Sequence, residues 1–369
     1  MKVTLSVEAL SPQLSGIGRY TWELASHLPA HAGVDAVRFY CNGEWVNDVA
    51  ALLASDKPPK QSGLAGMLPK WMRKPRVRSG EVFHGPNYFL PAFVENGIAT
   101  VHDLSVFRFP ETHPPKRLAH FEREFSQSLK RAAHLITDTE TVRQEVIDYC
   151  HWPAEKITVV PLGVSPAFAP RSAQSIATVL AANDLSPGAY LLCVSTIEPR
   201  KKIDRLLAAY AGLAETVRSR YTLVLIGGQG WLSDALHDEI GRAKQQGWLH
   251  YLGFVPEVEM AAIYAGAKAF VFPSIYEGFG LPVIEAMASG VPVVTSNRSC
   301  MPEVSHGAAL LVDPDDVDAL RAAILRSLED EPWRANAIAA GLVVAGNLTW
   351  DRCVQKTVNV YAKAQCANS

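Results

Sequence analysis

The amino-acid sequence predicts an α/β fold class with two doubly wound, Rossmann-like domains. Short apolar runs alternate with longer helical patterns, which is typical of parallel sheets covered by helices on both faces. Each half of the chain holds six such runs, the usual size of one doubly wound sheet. The chain has 369 residues, and at roughly 150 residues per domain this length suits two domains.

The predicted strands are buried runs bounded by glycine, proline or polar residues. Helical stretches such as PKRLAHFEREFSQSLKRAA and IDRLLAAYAGLAETVRSR lie between most of them. In the first half the predicted strands are KVTLSV, AVRFYC, EVFHG, IATVHD, HLITDT and KITVVP, and in the second half they are AYLLCVS, TLVLIGG, LHYLGFV, AFVFPS, VPVVTS and ALLVDP.

The domain boundary is expected within the segment from Gly163 to Tyr190, which carries three prolines and shows little periodicity, as interdomain linkers do. The predicted domains are residues 1–168 and residues 169–349. The tail from about Trp350 has a helical pattern, and residues 350–369 are expected to pack back on the first domain.

Composition narrows the functional classes. The net charge of −2 and the pI near 6.6 argue against a nucleic-acid partner. The six cysteines form no C-x-x-C pair, so zinc and redox centres are not favoured. The start MKVTLSVEAL lacks a long apolar region and no run of about 18 apolar residues follows, so we expect neither signal peptide nor membrane span and a cytoplasmic protein.

The segment SIYEGFGLPVIEAMASG predicts a ligand site at the start of a helix. It follows a predicted strand, has Pro282 in the first helical turn, and stops at Gly290. Free N–H groups and the helix dipole at such a turn attract anions. Glu277 and Glu285 flank the turn, where carboxylates can accept hydrogen bonds from sugar hydroxyls. An isolated glutamate is more often a helix-start residue favoured by the dipole, but the combined pattern favours one ligand geometry.

This segment resembles the E-x7-E motif of the family 4 retaining glycosyltransferases, which have the GT-B fold with two Rossmann-like domains facing a central cleft. The resemblance extends along nearly the whole chain and is highly specific in combination. Further motifs that resemble those of the family, in the same order along the chain, are SGIGRYTWEL, VHDL, ITVVPLGV, STIEPRKKIDRLL, LIGGQG, LGFVPEVEMAAIYAGA and MPEVSHGAALLVDPDD.

The resemblance implies roles in the second domain. Glu285 is expected to bind the ribose of a nucleotide sugar and Glu277 the hydroxyls of the donor sugar. Arg200 and Lys201 are expected to neutralise the leaving diphosphate, which agrees with the general need for fixed cations beside developing phosphate charge. Lys202 stands where many relatives have Asn or Gly. The remaining expected nucleotide-sugar contacts are Gly227, Phe254, Phe279, Gly280 and Leu281.

In the first domain the resemblance places Gly16 and Gly18 in a loop that approaches the phosphates and the acceptor. His102 ends the strand IATVHD, and the family places it beside the donor sugar, where it can hydrogen-bond a hydroxyl or a backbone carbonyl. Asp103 is expected either to orient His102 or to meet the acceptor.

Alternative functions remain at this stage. A nicotinamide oxidoreductase is disfavoured because G-I-G-R-Y-T lacks the third glycine and Gly227 to Leu232 is also incomplete. A phosphorylase or epimerase shares the architecture, and a non-catalytic sugar-nucleotide binding protein is a further possibility. The D-x-D pattern at Asp313 to Asp316 is typical of metal sites in another glycosyltransferase fold, but helix capping explains it better.

The resulting prediction is a retaining, metal-independent glycosyltransferase without cofactor. It would move a hexose, mannose from GDP-mannose being favoured and UDP- or dTDP-sugars remaining open, onto a glycan or lipid-linked acceptor in bacterial surface polysaccharide synthesis. The basic stretch Lys70 to Arg78, which also holds Trp71 and Met72, suggests docking to the inner membrane face, although a solvated loop explains it equally well.

Overall fold

A computed structural model of the chain describes residues 1–54, 77–78, 80–231 and 233–367. The basic stretch predicted to meet a membrane therefore lies outside the described residues, apart from Val77 and Arg78. Within the described parts of the chain, no helix combines the length and the apolar character needed to cross a bilayer.

The first sheet has seven strands in the order β3-β2-β1-β4-β5-β6-β7. All neighbours are parallel except β3, which pairs antiparallel with β2. The short β3 has no counterpart among the predicted strands, because three residues carry too little periodicity to identify. The strands are β1 Lys2–Ser6, β2 Ala36–Cys41, β3 Glu44–Val46, β4 Glu81–Gly85, β5 Gly97–Val101, β6 Ala132–Thr137 and β7 Ile157–Val159.

The second sheet has six parallel strands in the order β10-β9-β8-β11-β12-β13, the arrangement of a Rossmann sheet. Every strand predicted from the second half of the sequence is present. Its strands are β8 Tyr190–Val194, β9 Thr222–Ile226, β10 Leu249–Gly253, β11 Ala269–Phe272, β12 Val293–Ser296 and β13 Leu310–Val312.

Helices connect the strands in both sheets. The helices of the first half and the tail are α1 Gly16–His27, α2 Ala51–Ala54, α3 Ser105–Arg108, α4 Pro115–Arg131, α5 Glu140–Cys150 and α15 Trp350–Ala367. The remaining helices are α6 Ala173–Ala182, α7 Ile203–Ala211, α8 Glu215–Arg220, α9 Asp234–Gln245, α10 Glu257–Gly266, α11 Leu281–Ala288, α12 Met301–Ser305, α13 Val317–Glu329 and α14 Glu331–Gly346.

Two local expectations need correction. The stretch IDRLLAAYAGLAETVRSR forms α7 and α8 rather than one helix, and the break falls at Gly212, where a Cβ atom would lie 2.4 Å from Arg321. The segment expected to be a linker contains α6, whose first turn is capped by the Ser172 hydroxyl. Its apolar residues Ile176 and Leu180 are buried, so this segment belongs to a core.

The chain folds into two compact units. The first contains residues 1–104, 119–163 and 350–369, and the second contains residues 105–118 and 164–349. The predicted boundary at residues 168/169 did not anticipate that 105–118 belongs to the second unit. There the Trp231 indole donates a hydrogen bond to the Thr112 carbonyl, and Phe109 packs on Tyr276 with ring centroids 5.2 Å apart.

The C-terminal helix α15 packs against α1 and β6 of the first unit. It also completes a buried polar network. The His84 ring is fully buried, with Nδ1 2.7 Å from the Tyr361 hydroxyl and Nε2 2.8 Å from the Thr100 hydroxyl. Burial lowers the pKa of His84 to about 3, so the imidazole is neutral and both nitrogens are satisfied by hydroxyl groups.

We expect Tyr361→Phe to lower the free energy of unfolding by about 1–3 kcal/mol, because it leaves a buried imidazole nitrogen without its partner. The loss should be the same at pH 6 and pH 8, since His84 does not titrate there. Urea unfolding measures it, with Tyr149→Phe as the control, because Tyr149 is 52% exposed. Equal unfolding midpoints for the two variants would show that the His84–Tyr361 contact contributes nothing.

Candidate active site

The strand order of the second sheet reverses between β8 and β11, which are hydrogen-bonded neighbours. Open parallel sheets bind ligands beyond the carboxyl ends of the strands at such a switch point. The segment after β8 carries Arg200 and Lys201 in a short 3-10 turn, and the segment after β11 carries Glu277. The topology therefore brings together charged residues that are far apart in the sequence.

Glu277 forms the centre of a compact ionic cluster. Lys201 Nζ donates to Glu277 Oε1, and Arg200 Nη1 lies 3.5 Å from Glu277 Oε2. The Arg200 guanidinium also donates to the Tyr276 carbonyl and, at 2.8 Å, to Glu198. The side chains of Arg200, Lys201 and Glu277 are only 10–12% exposed, so they are not a solvated group of charges at a helix start.

The electrostatics of the cluster keep Glu277 ionised. Burial alone raises the pKa of Glu277, but the Lys201 and Arg200 cations outweigh it, and the pKa lies below its ordinary value. An ionised carboxylate can accept hydrogen bonds from hydroxyl groups, and the adjacent cations can stabilise an anion. The arrangement suits a ligand that presents hydroxyls and phosphate side by side.

The backbone of Glu277 is held as firmly as its side chain. The Ser299 hydroxyl donates to the Glu277 carbonyl at 2.7 Å and accepts from the Glu277 N–H at 3.2 Å. The Cys300 thiol donates to the same carbonyl at 3.1 Å. The loop after β12 therefore fixes the peptide that carries the carboxylate, and sequence motifs did not identify this support.

The predicted glycine turn begins α11. Gly280 has φ +89°, and a Cβ atom there would lie 2.5 Å from Met301. The helix start has Pro282 in its first turn and no side-chain cap, which leaves the N–H groups near Phe279, Gly280 and Leu281 for a ligand. One turn further into α11 lies Glu285, and burial followed by the Glu285 carboxylate raises the pKa of Tyr264.

Two further predicted contacts lie at the ends of β9 and β10. Gly227 has φ +148°, and a Cβ atom would lie 1.9 Å from the Ser195 carbonyl, so only glycine allows this loop to pack against the segment after β8. The Gly227 N–H donates to the Gly253 carbonyl at 2.8 Å. Phe254 follows directly and is 58% exposed, which leaves its ring face accessible to a planar group.

In the first unit, Gly16 and Gly18 open α1 after β1. The Ser15 hydroxyl caps this helix by accepting from the Gly18 N–H at 3.2 Å. A Cβ atom at Gly18 would lie 3.1 Å from the Ala9 carbonyl, so the residue allows close packing of the preceding loop.

His102 follows β5 and is buried, with both ring nitrogens bonded to protein groups. Nε2 donates to the Pro86 carbonyl at 2.8 Å, and Nδ1 lies 2.7 Å from Asp138 Oδ2. Burial lowers the pKa of His102, but Asp138 outweighs it and the pKa is raised. Of the two expected partners, the ring bonds a backbone carbonyl, and no ring nitrogen is left for a substrate hydroxyl.

The residue that orients His102 is Asp138 and not Asp103. Asp138 follows β6, which pairs in parallel with β5, so the two residues after the paired strand ends meet. The sequence contains this signal, because VHD and ITD end neighbouring strands, but neighbours in a sheet are known only once the topology is known. The Asp103 N–H is 3.1 Å from the Tyr88 hydroxyl.

The D-x-D pattern has a structural explanation. Asp316 caps α13 by accepting from the Ala319 N–H at 2.9 Å, which confirms the capping prediction. Asp313 and Asp315 form ion pairs with Arg298. In the parts of the chain that the structure describes, no group of three or more His, Cys, Asp or Glu side chains is arranged to hold a metal ion.

Two Rossmann-type units, with a glycine turn before an uncapped helix and an ionic cluster at the switch point of the second, have the architecture of the GT-B glycosyltransferases. Residues 14–168 match the family model described as Glycosyltransferase Family 4, and residues 182–343 match Glycosyl transferases group 1. The chain is 36% identical over 380 residues to O-antigen chain mannosyltransferase B of Escherichia coli, covering 98% of this chain and 99% of that protein. The chain therefore belongs to the family 4 glycosyltransferases.

Two further similarities agree with this family. Over 67% of its length the chain is 30% identical to the serotype-specific mannosyltransferase WbdA of Escherichia coli, and this match spans 30% of that longer protein. The structure superimposes on sucrose-phosphate synthase from Thermosynechococcus elongatus with a TM-score of 0.72 at 21% identity, covering 100% of both chains. The latter similarity supports the fold alone. Family membership separates the chain from nicotinamide oxidoreductases.

The central ion pair predicts a pH-dependent stability. Glu277→Gln should lower the free energy of unfolding at pH 7 by about 3 kcal/mol, because the buried Lys201 loses its carboxylate and the buried Arg200 is left with Glu198 alone. Since the pKa of Glu277 in the folded protein lies below its ordinary value of 4.5, the carboxylate stabilises the fold above that pH. This contribution is lost as the pH falls through the lower, folded-state pKa.

The difference between wild type and Glu277→Gln should thus stay constant down to about pH 5 and shrink as the pH falls below the ordinary pKa of 4.5. Chemical unfolding at each pH provides the measurement. Glu331→Gln is the matched control, because Glu331 is also paired with a lysine and an arginine but is 68% exposed. A difference that is independent of pH would show that folding does not lower the pKa of Glu277.

Proposed function

We propose that this chain is a retaining, metal-independent mannosyltransferase that uses GDP-mannose and extends a glycan or lipid-linked acceptor of a bacterial O-antigen. The observation that carries this proposal is the 36% identity to O-antigen chain mannosyltransferase B over 98% of this chain. The ionic cluster at the switch point supports transfer chemistry, because its two cations and its carboxylate match the two ends of a nucleotide sugar.

The donor is proposed to bind to the second unit. The N–H groups at the start of α11, which has no side-chain cap, hold the diphosphate, as helix N-termini bind anions elsewhere. Glu285, one turn into the helix, accepts hydrogen bonds from the ribose. Glu277 accepts hydrogen bonds from the sugar, and Phe254 offers its exposed ring to the base.

In the proposed reaction the bond between the sugar C1 and the diphosphate oxygen breaks, and the bond from C1 to the acceptor oxygen forms on the same face. The transition state resembles an oxocarbenium ion. Arg200 and Lys201 stabilise the negative charge that develops on the diphosphate. The leaving phosphate oxygen takes the proton of the acceptor hydroxyl, so that no protein base is required.

The acceptor is proposed to bind to the first unit, near the loop with Gly16 and Gly18. His102 acts there as a positioning residue, because its nitrogens bond Asp138 and the Pro86 carbonyl. The His102–Asp138 pair thereby fixes the loops after β4 and β5, including the peptide of Asp103. Asp103 remains the candidate for contact with the acceptor.

We expect GDP and GDP-mannose to stabilise the protein in a thermal-shift screen with EDTA present. A ligand at 100 times its dissociation constant adds about 2.7 kcal/mol of stability. UDP, dTDP and ADP and their sugars are the controls. A shift with only UDP or dTDP compounds would overturn the mannose assignment. A shift with GDP-mannose that is seen without EDTA but not with EDTA would overturn metal independence.

Substitutions should separate binding from turnover. Lys201→Met should lower kcat by about 100-fold, as expected when one donor to a developing charge is removed. Glu285→Gln should instead weaken GDP binding by about tenfold, because one charged hydrogen bond is lost. Lys268→Met is the control, since Lys268 pairs with Glu331 at 2.6 Å outside the site.

Initial rates with GDP-mannose and equilibrium titrations with GDP give the two quantities for each variant. Full activity in both Lys201→Met and Glu285→Gln would contradict the site assignment. The anomeric configuration of the product, determined by NMR, tests retention, and an inverted product would contradict the proposed same-face attack.

A further inference from the structure

Lys202 follows the proposed catalytic cations in an unusual backbone conformation. It has φ +53°, a left-handed conformation that residues other than glycine and asparagine rarely adopt. Its N–H donates to the Pro199 carbonyl at 3.2 Å and closes the turn that presents Arg200 and Lys201. Strained residues of this kind persist where the surrounding structure holds them, and they cluster at functional sites.

The Lys202 side chain leads to a second contact. Its ammonium group lies 2.9 Å from Asp315 Oδ1, in the segment between β13 and α13. Arg205, one turn into α7, lies 4.0 Å from the same oxygen. A lysine in place of the asparagine or glycine that suits this conformation therefore gains an ionic partner, and the partner lies on a different loop.

Asp315 also binds the loop that holds Glu277. Its Oδ2 lies 2.9 Å from Arg298 Nη1, while Asp313 Oδ1 accepts from Arg298 Nη2 at 2.6 Å. The next two residues, Ser299 and Cys300, are those that hydrogen-bond the peptide of Glu277. One carboxylate thus joins the loop after β8, which carries the cations, to the loop after β12, which supports the catalytic glutamate.

We propose that Asp315 is a positioning residue for glycosyl transfer, and that the ionic bridge Lys202–Asp315–Arg298 sets the separation between the Arg200–Lys201 turn and Glu277. This inference rests on the proposed function of those three residues. The bridge belongs to the D-x-D segment, which therefore serves the reaction through lysine and arginine and not through a metal ion.

The charge and exposure of the bridge determine how it should behave. The hydrogen bond from Lys202 lowers the pKa of Asp315, so the carboxylate is ionised at neutral pH. The Lys202, Asp315 and Arg298 side chains are 21–40% exposed, and exposed ion pairs contribute little to global stability. Loss of the bridge should therefore change the geometry of the two loops and the rate of turnover more than the free energy of unfolding. The change in rate should depend on the salt concentration.

The decisive variant is Asp315→Asn, which keeps the side-chain size and leaves the Asp316 cap in place. We expect kcat for glycosyl transfer to fall by about three- to tenfold, with little change in the KM for the donor. Asp315→Asn loses the two close pairs with Lys202 and Arg298 and the longer pair with Arg205. Asp318→Asn is the matched control, since it breaks an exposed pair with Arg321 on α13 and should leave kcat unchanged.

Variants at Lys202 separate charge from backbone strain. Lys202→Arg keeps the cation and should retain most of the wild-type kcat. Lys202→Asn suits the left-handed backbone better but loses the cation, so it should be as slow as Asp315→Asn. High salt should reduce the ratio between wild-type and Asp315→Asn rates. A fully active Lys202→Asn or Asp315→Asn enzyme would overturn the proposal.

Hydrogen–deuterium exchange tests the same bridge without turnover. Peptides that cover 196–203 and 274–280 should exchange faster in Asp315→Asn than in wild type and in Asp318→Asn. Unchanged exchange would overturn the inference whatever the activity. Wild-type protein that transfers no sugar from any nucleotide donor would overturn the proposed function, while faster exchange in Asp315→Asn would then still establish the bridge between the loops.

Discussion

The contact between Lys201 and Glu277 joins residues 76 positions apart, and it forms only because β8 and β11 lie side by side in the sheet. The sheet determines this neighbourhood through its strand order, in which every strand is parallel and the order reverses at β8 and β11. Four charged side chains then share a space with little solvent, namely Glu198, Arg200, Lys201 and Glu277. Burying a charged group without a partner is unfavourable, so the cations and the carboxylates stabilise one another in the buried state. Their pairing in turn holds together the loops that carry them.

In the first unit, strand pairing likewise brings two ionisable side chains together, but here they are a histidine and an aspartate. His102 and Asp138 follow the paired strands β5 and β6, and they meet for the same reason that Lys201 and Glu277 meet. Here the pair binds a backbone carbonyl and leaves no ring nitrogen for a ligand. The two units thus place a charged pair at the carboxyl ends of their strands. In the second unit the glutamate of the pair lies in the segment between β11 and the start of α11, and in the first unit the pair supports loops.

Much of the fold and of the candidate site could be predicted from the sequence. The features that could not be predicted share one physical cause. Buried strands and the start of α11 were predictable because apolar runs, Pro282 and the glycine turn act locally. The pairing of His102 with Asp138, and the support of Glu277 by Ser299 and Cys300, depend on which strands are neighbours. Periodicity does not encode neighbours, so the sequence suggests only the adjacent Asp103 as a partner that could orient His102 and gives no indication of Asp138. Residues 105–118 joined the second unit for a similar reason, since the contact of Trp231 with Thr112 is distant in sequence.

Three residues with a strained backbone lie, like the buried ion pairs, in the segments that follow the carboxyl ends of the strands. Tyr88, Lys202 and Ser299 have positive φ although they are not glycine, and each lies in a segment that follows the carboxyl end of a strand, namely β4, β8 and β12. Each also makes a contact that a relaxed residue would have to replace: the Tyr88 hydroxyl meets the Asp103 N–H, Lys202 meets Asp315, and Ser299 binds the Glu277 peptide. Other residues with positive φ, such as His151 and His306, simply end helices. Backbone strain after the carboxyl ends of the strands therefore occurs at residues whose side chains fix the candidate site. This is expected where strained residues are held in place to keep a binding site in one geometry.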